Sequence, residues 1–168
     1  DLRLGGKACI RWSGPAAALG VQEGYQLTPA TCPGLGAWHC AVAFEDVRLT
    51  MRSGEARLLR PEDAGGGAAS GAVAPAADRP AATGPVVDAL GTIDPDRDAL
   101  TGGWRRDGEA LVLHEPADEA KAMVPLAIEG SYRLEAEFVR TSGHDTVGIL
   151  LPVGDRQTLL GLAYNNQR

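Results

Sequence analysis

The chain has 168 residues, 44% of them hydrophobic and 23% charged, with a formal charge of -6 and a pI near 5.0. That balance supports a buried core and argues against wholesale disorder, and the acidic excess argues against the phosphate-neutralising surface that nucleic-acid partners require. No apolar run approaches the roughly 20 residues that cross a bilayer, and no charged-then-apolar leader opens the sequence, so membrane insertion is not expected.

In chain order, the first element is a hairpin. Leu2 and Leu4 alternate into Gly5-Gly6, and Ala8, Ile10 and Trp12 alternate out of it; two glycines supply the positive φ angles that a two-residue connection needs. The stretch SGPAAALGVQEGYQLTPATCPGLG that follows is too rich in Gly and Pro for a long helix and reads as a loop. A strand then runs through AWHCAVAFEDVRLTMRSGEARLLRP to Pro61, preceded by a Gly-rich turn. Val42 and Phe44 share one parity and Val47, Leu49 and Met51 the other, so the apolar face changes sides at Glu45-Asp46. One extra residue there, a β-bulge, returns all of these side chains to the same core.

Residues 61–85, dominated by Ala, Gly and Pro with a single Val, cannot build a core and read as a flexible linker with a typical span of about 28 Å. Segments 1–60 and 86–168 lie on either side. In the second, Asp107-Gly108 between Trp104 and Leu111-Val112-Leu113 marks another hairpin. SYRLEAEFVR alternates as a half-buried strand, with Tyr132, Leu134, Ala136 and Phe138 on one side. TVGILLPV, apolar nearly throughout, suits a strand covered on both faces, and QTLLGLAY is the next strand. Short strands punctuated by turns, with no convincing amphipathic helix, predict an all-β fold, an antiparallel β-sandwich.

DALGTIDPDRDALTGGWRRDGEALVL and YRLEAEFVRTSGHDTVGILLPVGDRQTLLGL together resemble the opening half of the concanavalin A-like jelly-roll domains grouped as 3-keto-disaccharide hydrolase-like or LamG-like. LGGKACIRWSG and GLGAWHCAVAFEDVRLTMRSGEARLL resemble the late hairpin and the final loop and strand of the same kind of domain. The resemblance implies a jelly-roll-type sandwich, incomplete, in which 1–60 is the C-terminal half of one domain and 86–168 the N-terminal half of the next. It also implies a bacterial multidomain protein at the cell surface or otherwise outside the cytoplasm. Because the first and last strands of a jelly roll pair, the halves could dock within one chain, leaving open edge strands for pairing with another chain.

The function implied is noncatalytic carbohydrate binding or adhesion. The alternatives are a glycoside-processing domain like the 3-keto-disaccharide hydrolases, or a protein-interaction and spacer module. Sugar recognition needs an aromatic platform and polar loop side chains, and Trp38 with His39 beside it is the leading platform among Trp12, Trp38 and Trp104. Arg140, His144 and Asp145 surround the loop RTSGHDTVG, and Tyr164 and Asn165 close the chain with a hydrogen-bonding run. Each has an ordinary structural role beside the functional one: Trp as core filler, Asp in a turn, His as an exposed loop residue.

Catalysis lacks a signature. Glu135 and Glu137 share the strand face opposite the core and read as solvated charge, whereas glycoside hydrolysis needs carboxylates facing across a cleft. No Ser elbow, Cys-His pairing, phosphate-cradling Gly motif or cofactor site is present. Cys9, Cys32 and Cys40 have no CxxC spacing for zinc; Cys32 and Cys40 could be bridged in an oxidising compartment, or all could be buried free thiols.

Overall fold

A computed structural model describes residues 2–4, 7–10, 13–22, 24–59 and 84–162. Trp12, Tyr164, Asn165 and residues 61–83 of the Ala/Gly/Pro tract fall outside them, as do the side chains of the opening hairpin, Cys9 included.

The described chain is nearly all strand. The opening hairpin comprises β1 (Leu2–Leu4) and β2 (Lys7–Ile10), antiparallel, with Leu4 opposite Lys7 across the Gly-Gly connection. Then come β3 (Gly34–Ala37), β4 (Cys40–Met51) and β5 (Glu55–Leu58), and, past the tract, β6 (Val86–Asp88). After one helical turn, α1 (Pro95–Asp98), follow β7 (Ala99–Thr101), β8 (Trp104–Asp107), β9 (Ala110–Leu113), β10 (Ala120–Met123) and β11 (Leu126–Glu129). Three longer strands finish the fold: β12 (Tyr132–Gly143), β13 (Val147–Val153) and β14 (Arg156–Leu162).

These strands form two antiparallel five-stranded sheets, one in the order β14-β13-β3-β10-β7, the other β12-β4-β9-β8 with β6 also on β4. A single core joins their inner faces: Leu35, Val147 and Ile149 from the first sheet pack with Val42, Phe44, Leu49, Leu111 and Trp104 from the second. The fold is therefore an all-β antiparallel sandwich. Strands from before the tract sit among strands from after it. Thus β3 lies between β13 and β10, β4 between β12 and β9, and β5 pairs β11 in a separate ribbon.

The bulge expected in β4 is present. Asp46 faces Glu137 and Phe44 faces Phe138, so Glu45 is the unpaired extra residue. Its effect is the one the parity change requires, since Val42, Phe44, Val47, Leu49 and Met51 all belong to the core while Glu45 is exposed. The clean alternation of β12 likewise places Tyr132, Leu134, Ala136 and Phe138 against that core.

Two features of the long stretch ending at Pro61 differ from expectation. Its Gly-rich opening is not a turn but strand β3, and its tail is a separate strand, divided from β4 at Arg52–Gly54, where Gly54 has φ 72°. β3 hides from a side-chain pattern because Gly34 and Gly36 point to the sheet's outer face, where other residues lie close upon them. A methyl on Gly34 would stand 2.4 Å from Leu27 Cδ1, and one on Gly36 3.0 Å from the Trp38 ring.

That outer face is covered by the loop before β3. Gln157 of β14, buried, fastens it: Oε1 accepts from the Leu27 amide at 2.7 Å and Nε2 donates to the Cys32 carbonyl at 3.0 Å. Cys32 and Cys40 are free and buried. Burial pushes the Cys32 thiol up to about 11 and raises Cys40 as well, so neither is poised as a thiolate nucleophile. No helix among the described residues is long and apolar enough to cross a membrane.

Candidate functional site

The β3–β4 turn carries Trp38 and His39, and most of the candidate residues gather around it. The Trp38 amide donates to the Thr146 carbonyl at 2.9 Å and the His39 amide to the Ala117 carbonyl at 2.7 Å, tying the turn to the segments before β13 and before β10. His39 has φ 46°, a left-handed conformation uncommon for a residue with a side chain. Gly143 allows this close packing, because a methyl there would lie 2.2 Å from the His39 carbonyl oxygen.

The His39 ring reaches two carboxylates: Nδ1 stands 3.1 Å from Asp145 Oδ2 and Nε2 3.4 Å from Asp118 Oδ1. A carboxylate only accepts, so the Asp145 contact is a hydrogen bond donated by Nδ1–H, whereas the Asp118 contact is an ion pair that exists only with the ring charged. Asp145 is held further by the Thr146 hydroxyl, which donates to its Oδ1 at 3.0 Å. The hydrogen bond from His39, with those from Thr146, keeps the Asp145 carboxyl below its ordinary value of 3.8. Arg140 donates to the Asp145 carbonyl at 2.9 Å, and the His144 amide to the His39 carbonyl at 3.4 Å. The structure thus brings Trp38, His39, Arg140, His144 and Asp145 together.

Trp38 is not an open platform. The residue is only 8% exposed, its ring lying on Gly36 of β3 and on Gly148 of β13, where a methyl would come within 2.4 Å of Cζ3. Gly36 and Gly148 face each other across the strand pair, so the indole rests on bare backbone. Tyr25 meets it edge-on, with ring centroids 5.1 Å apart and planes at 70°. Among the described residues, Trp38 Nε1 is the buried side-chain nitrogen or oxygen that has no hydrogen-bond partner.

Beside this pair opens a cleft of about 360 Å³ lined by Gln22, Gly24, Tyr25, Trp38, Asp118 and Glu119. Its walls come from the loop before β3, the β3–β4 turn and the segment before β10. Lys121, buried on β10, braces it by donating to the Gly24 carbonyl and pairing with Glu119 at 2.9 Å. Through Asp118 the cleft connects to His39 and so to Asp145 and Arg140.

Sequence reasoning missed Tyr25, Asp118, Glu119 and Gln22. Tyr25 carries a weak signal, an aromatic next to a glycine in a loop; the others carry none, because strand pairing over a long sequence separation places them. Trp104, the other described tryptophan, is a core residue whose Nε1 donates to the Thr101 carbonyl at 3.0 Å. Glu135 pairs with Arg133 at 2.9 Å on β12, away from the cleft lining. No group of His, Cys, Asp and Glu among the described residues is placed to hold a metal ion. No protein-family model, curated protein or solved structure matches the chain.

Proposed function

We propose that the chain is a noncatalytic carbohydrate-binding β-sandwich of the concanavalin A-like jelly-roll kind, from a larger bacterial surface protein, and that it holds its ligand in the Tyr25–Trp38 cleft. The observation that carries this reading is the composition of the cleft wall: an aromatic pair beside an amide and two carboxylates. Apolar C–H faces of a pyranose pack on aromatic rings, and its hydroxyls donate to carboxylates and amides. Rigid placement is supplied by the glycine floor under Trp38 and by the Lys121 brace.

Glycoside hydrolysis has less support. Asp118 and Glu119 are consecutive in one segment, whereas acid and base must face each other across the scissile bond. For an edge-to-edge protein partner, support comes from β12 and β7, each with a neighbour on one side only among the described residues and each carrying an exposed apolar residue, Val139 and Leu100, both 49% exposed.

Binding to an array of neutral and charged oligosaccharides tests the proposal. The protein retains a defined subset of glycans, and Tyr25→Ala, which removes one aromatic of the cleft wall and none of the core cluster, weakens retention about tenfold. Retention of no glycan, or equal retention by Tyr25→Ala, refutes it.

A further inference from the structure

We infer that His39 is a proton-operated clasp on the cleft: its charged ring ties Asp118 of the cleft wall to Asp145 of the β12–β13 turn, and its neutral ring lets Asp118 go. The clasp belongs to the free protein, and its consequence for ligands, regulation of the cleft by pH, rests on the carbohydrate reading.

One imidazole stands between two carboxylates that come from distant segments, with Nδ1 3.1 Å from Asp145 Oδ2 and Nε2 3.4 Å from Asp118 Oδ1. The Asp145 side is built and permanent. His39 and the Thr146 hydroxyl both donate to its carboxylate, and these bonds hold its pKa below the ordinary 3.8. Asp145 is therefore an anion throughout the range in which histidine changes charge, and it keeps a proton on Nδ1 in either state of the ring. The proton that comes and goes is the one on Nε2, the nitrogen that faces Asp118.

Asp118 has a different setting. Its side chain is fully exposed, and the His39 ring is the group that pairs with it. With the ring charged, the contact is an ion pair that holds the carboxylate against the β3–β4 turn. With the ring neutral, the Nε2 lone pair faces a carboxylate oxygen, two acceptors with no proton between them. Because Asp118 lines the cleft with Tyr25 and Trp38, the charge on one ring sets whether that part of the wall is held or loose. The backbone does not have to move, since the His39 amide already donates to the Ala117 carbonyl at 2.7 Å, one residue from Asp118.

The other charged groups around the ring do not duplicate the switch. On the β12–β13 side, Arg140 donates to the Asp145 carbonyl, and His144 meets His39 through its backbone amide. From the segment before β10, Glu119 pairs with Lys121. Next to His39 in sequence, the Cys40 thiol is raised by burial and stays neutral. A held Asp118 costs a ligand less to order, and its second carboxylate oxygen remains open to accept. A neutral sugar therefore binds better with the clasp closed, in the acid part of the range.

NMR titration of the His39 ring protons from about pH 5 to pH 8, on the wild type and on Asp118→Asn, tests the clasp without a ligand. The signal lost in His39→Asn assigns the ring, asparagine being a residue that tolerates the left-handed backbone found there at φ 46°. Asp118→Asn lowers the proton affinity of His39 about two- to fivefold, the range for an exposed ion pair. An unchanged affinity overturns the clasp. Retention of the neutral oligosaccharides of the array at about pH 5.5 and pH 8 tests its consequence. Wild type retains them about two- to fivefold better at the lower pH, and Asp118→Asn and His39→Asn each remove that difference. Equal retention by wild type at the two pH values, or a preference that survives in either variant, overturns the regulation and leaves the carbohydrate reading standing. An empty array removes the carbohydrate reading, and the ring titration then decides the clasp by itself.

Discussion

Deleting Glu45 removes one exposed residue and should nevertheless be among the most damaging single changes in the chain. Glu45 is the extra residue of the β4 bulge, and without it the ladder between Asp46–Glu137 and Phe44–Phe138 closes by one position. Since side chains alternate along a strand, one half of β4 must then turn over. If the first half turns, Val42 and Phe44, both at 0% exposure, leave the core. If the second half turns, Val47, Leu49 and Met51 leave it instead. The first outcome is the cheaper, at about 1.5–3 kcal/mol for each side chain and so about 3–6 kcal/mol together. That is a large part of the roughly 5–15 kcal/mol that holds a domain together. The substitution Glu45→Thr keeps the extra residue and should stay within about 0.5 kcal/mol of wild type. Urea denaturation followed by tryptophan fluorescence compares the two, with the midpoint shift read at unchanged slope. A deletion that costs no more than the substitution would refute the bulge as the device that fixes the register.

Other consequences can be checked with the same equipment. Gly148→Ala places a methyl 2.4 Å from the Trp38 ring, so it should cost about 1–3 kcal/mol by overpacking and weaken any ligand bound in the cleft, as thermal melts and titration would report. Gln157→Leu leaves the Leu27 amide and the Cys32 carbonyl without a partner, an expected loss of about 2–6 kcal/mol, with faster hydrogen exchange at Leu27 as the local signature. Asp145 is held in its charged form by His39 and Thr146. Its contribution to stability is therefore present above its ordinary value of 3.8 and lost as the pH falls through the lower folded value. Wild type should accordingly exceed Asp145→Asn in stability at pH 6, and the gap should close on acidification below about 4; a gap that widens with acid contradicts the assignment.

Most of the second sheet's framework was legible in the sequence. β12 could be read because its inner and outer residues differ in polarity, and the β4 bulge because the apolar parity changes within one strand. β3, β5, β10 and β11 were not legible for particular reasons. In β3 the outward positions are glycines on which Trp38 and Leu27 rest, so no alternation exists to be seen. In β10, Lys121 is an inner-loop brace at an otherwise apolar strand, and its polarity masks its burial. β5 and β11 form a ribbon across the Ala/Gly/Pro tract, and that pairing is visible only when the fold brings the two segments together. The site followed the same rule. Trp38, His39, Arg140, His144 and Asp145 lie in short stretches and could be singled out as candidates, whereas Asp118 and Glu119 come to the cleft with the segment before β10, Tyr25 with the loop before β3, and none of the three could. Trp38 was the leading platform candidate with core packing as its ordinary role; the glycine floor that buries it is something a single sequence does not reveal.

The account depends on ligand contact at the Tyr25–Trp38 wall, and the indole N–H resonances of the protein report that contact directly. With the Trp12 signal removed by Trp12→Phe, titration with a glycan retained on the array should move the Trp38 cross-peak and leave that of Trp104, bonded to the Thr101 carbonyl within the core, in place. A Trp38 signal that stays fixed at saturating sugar, or one that moves only in step with Trp104, would contradict it.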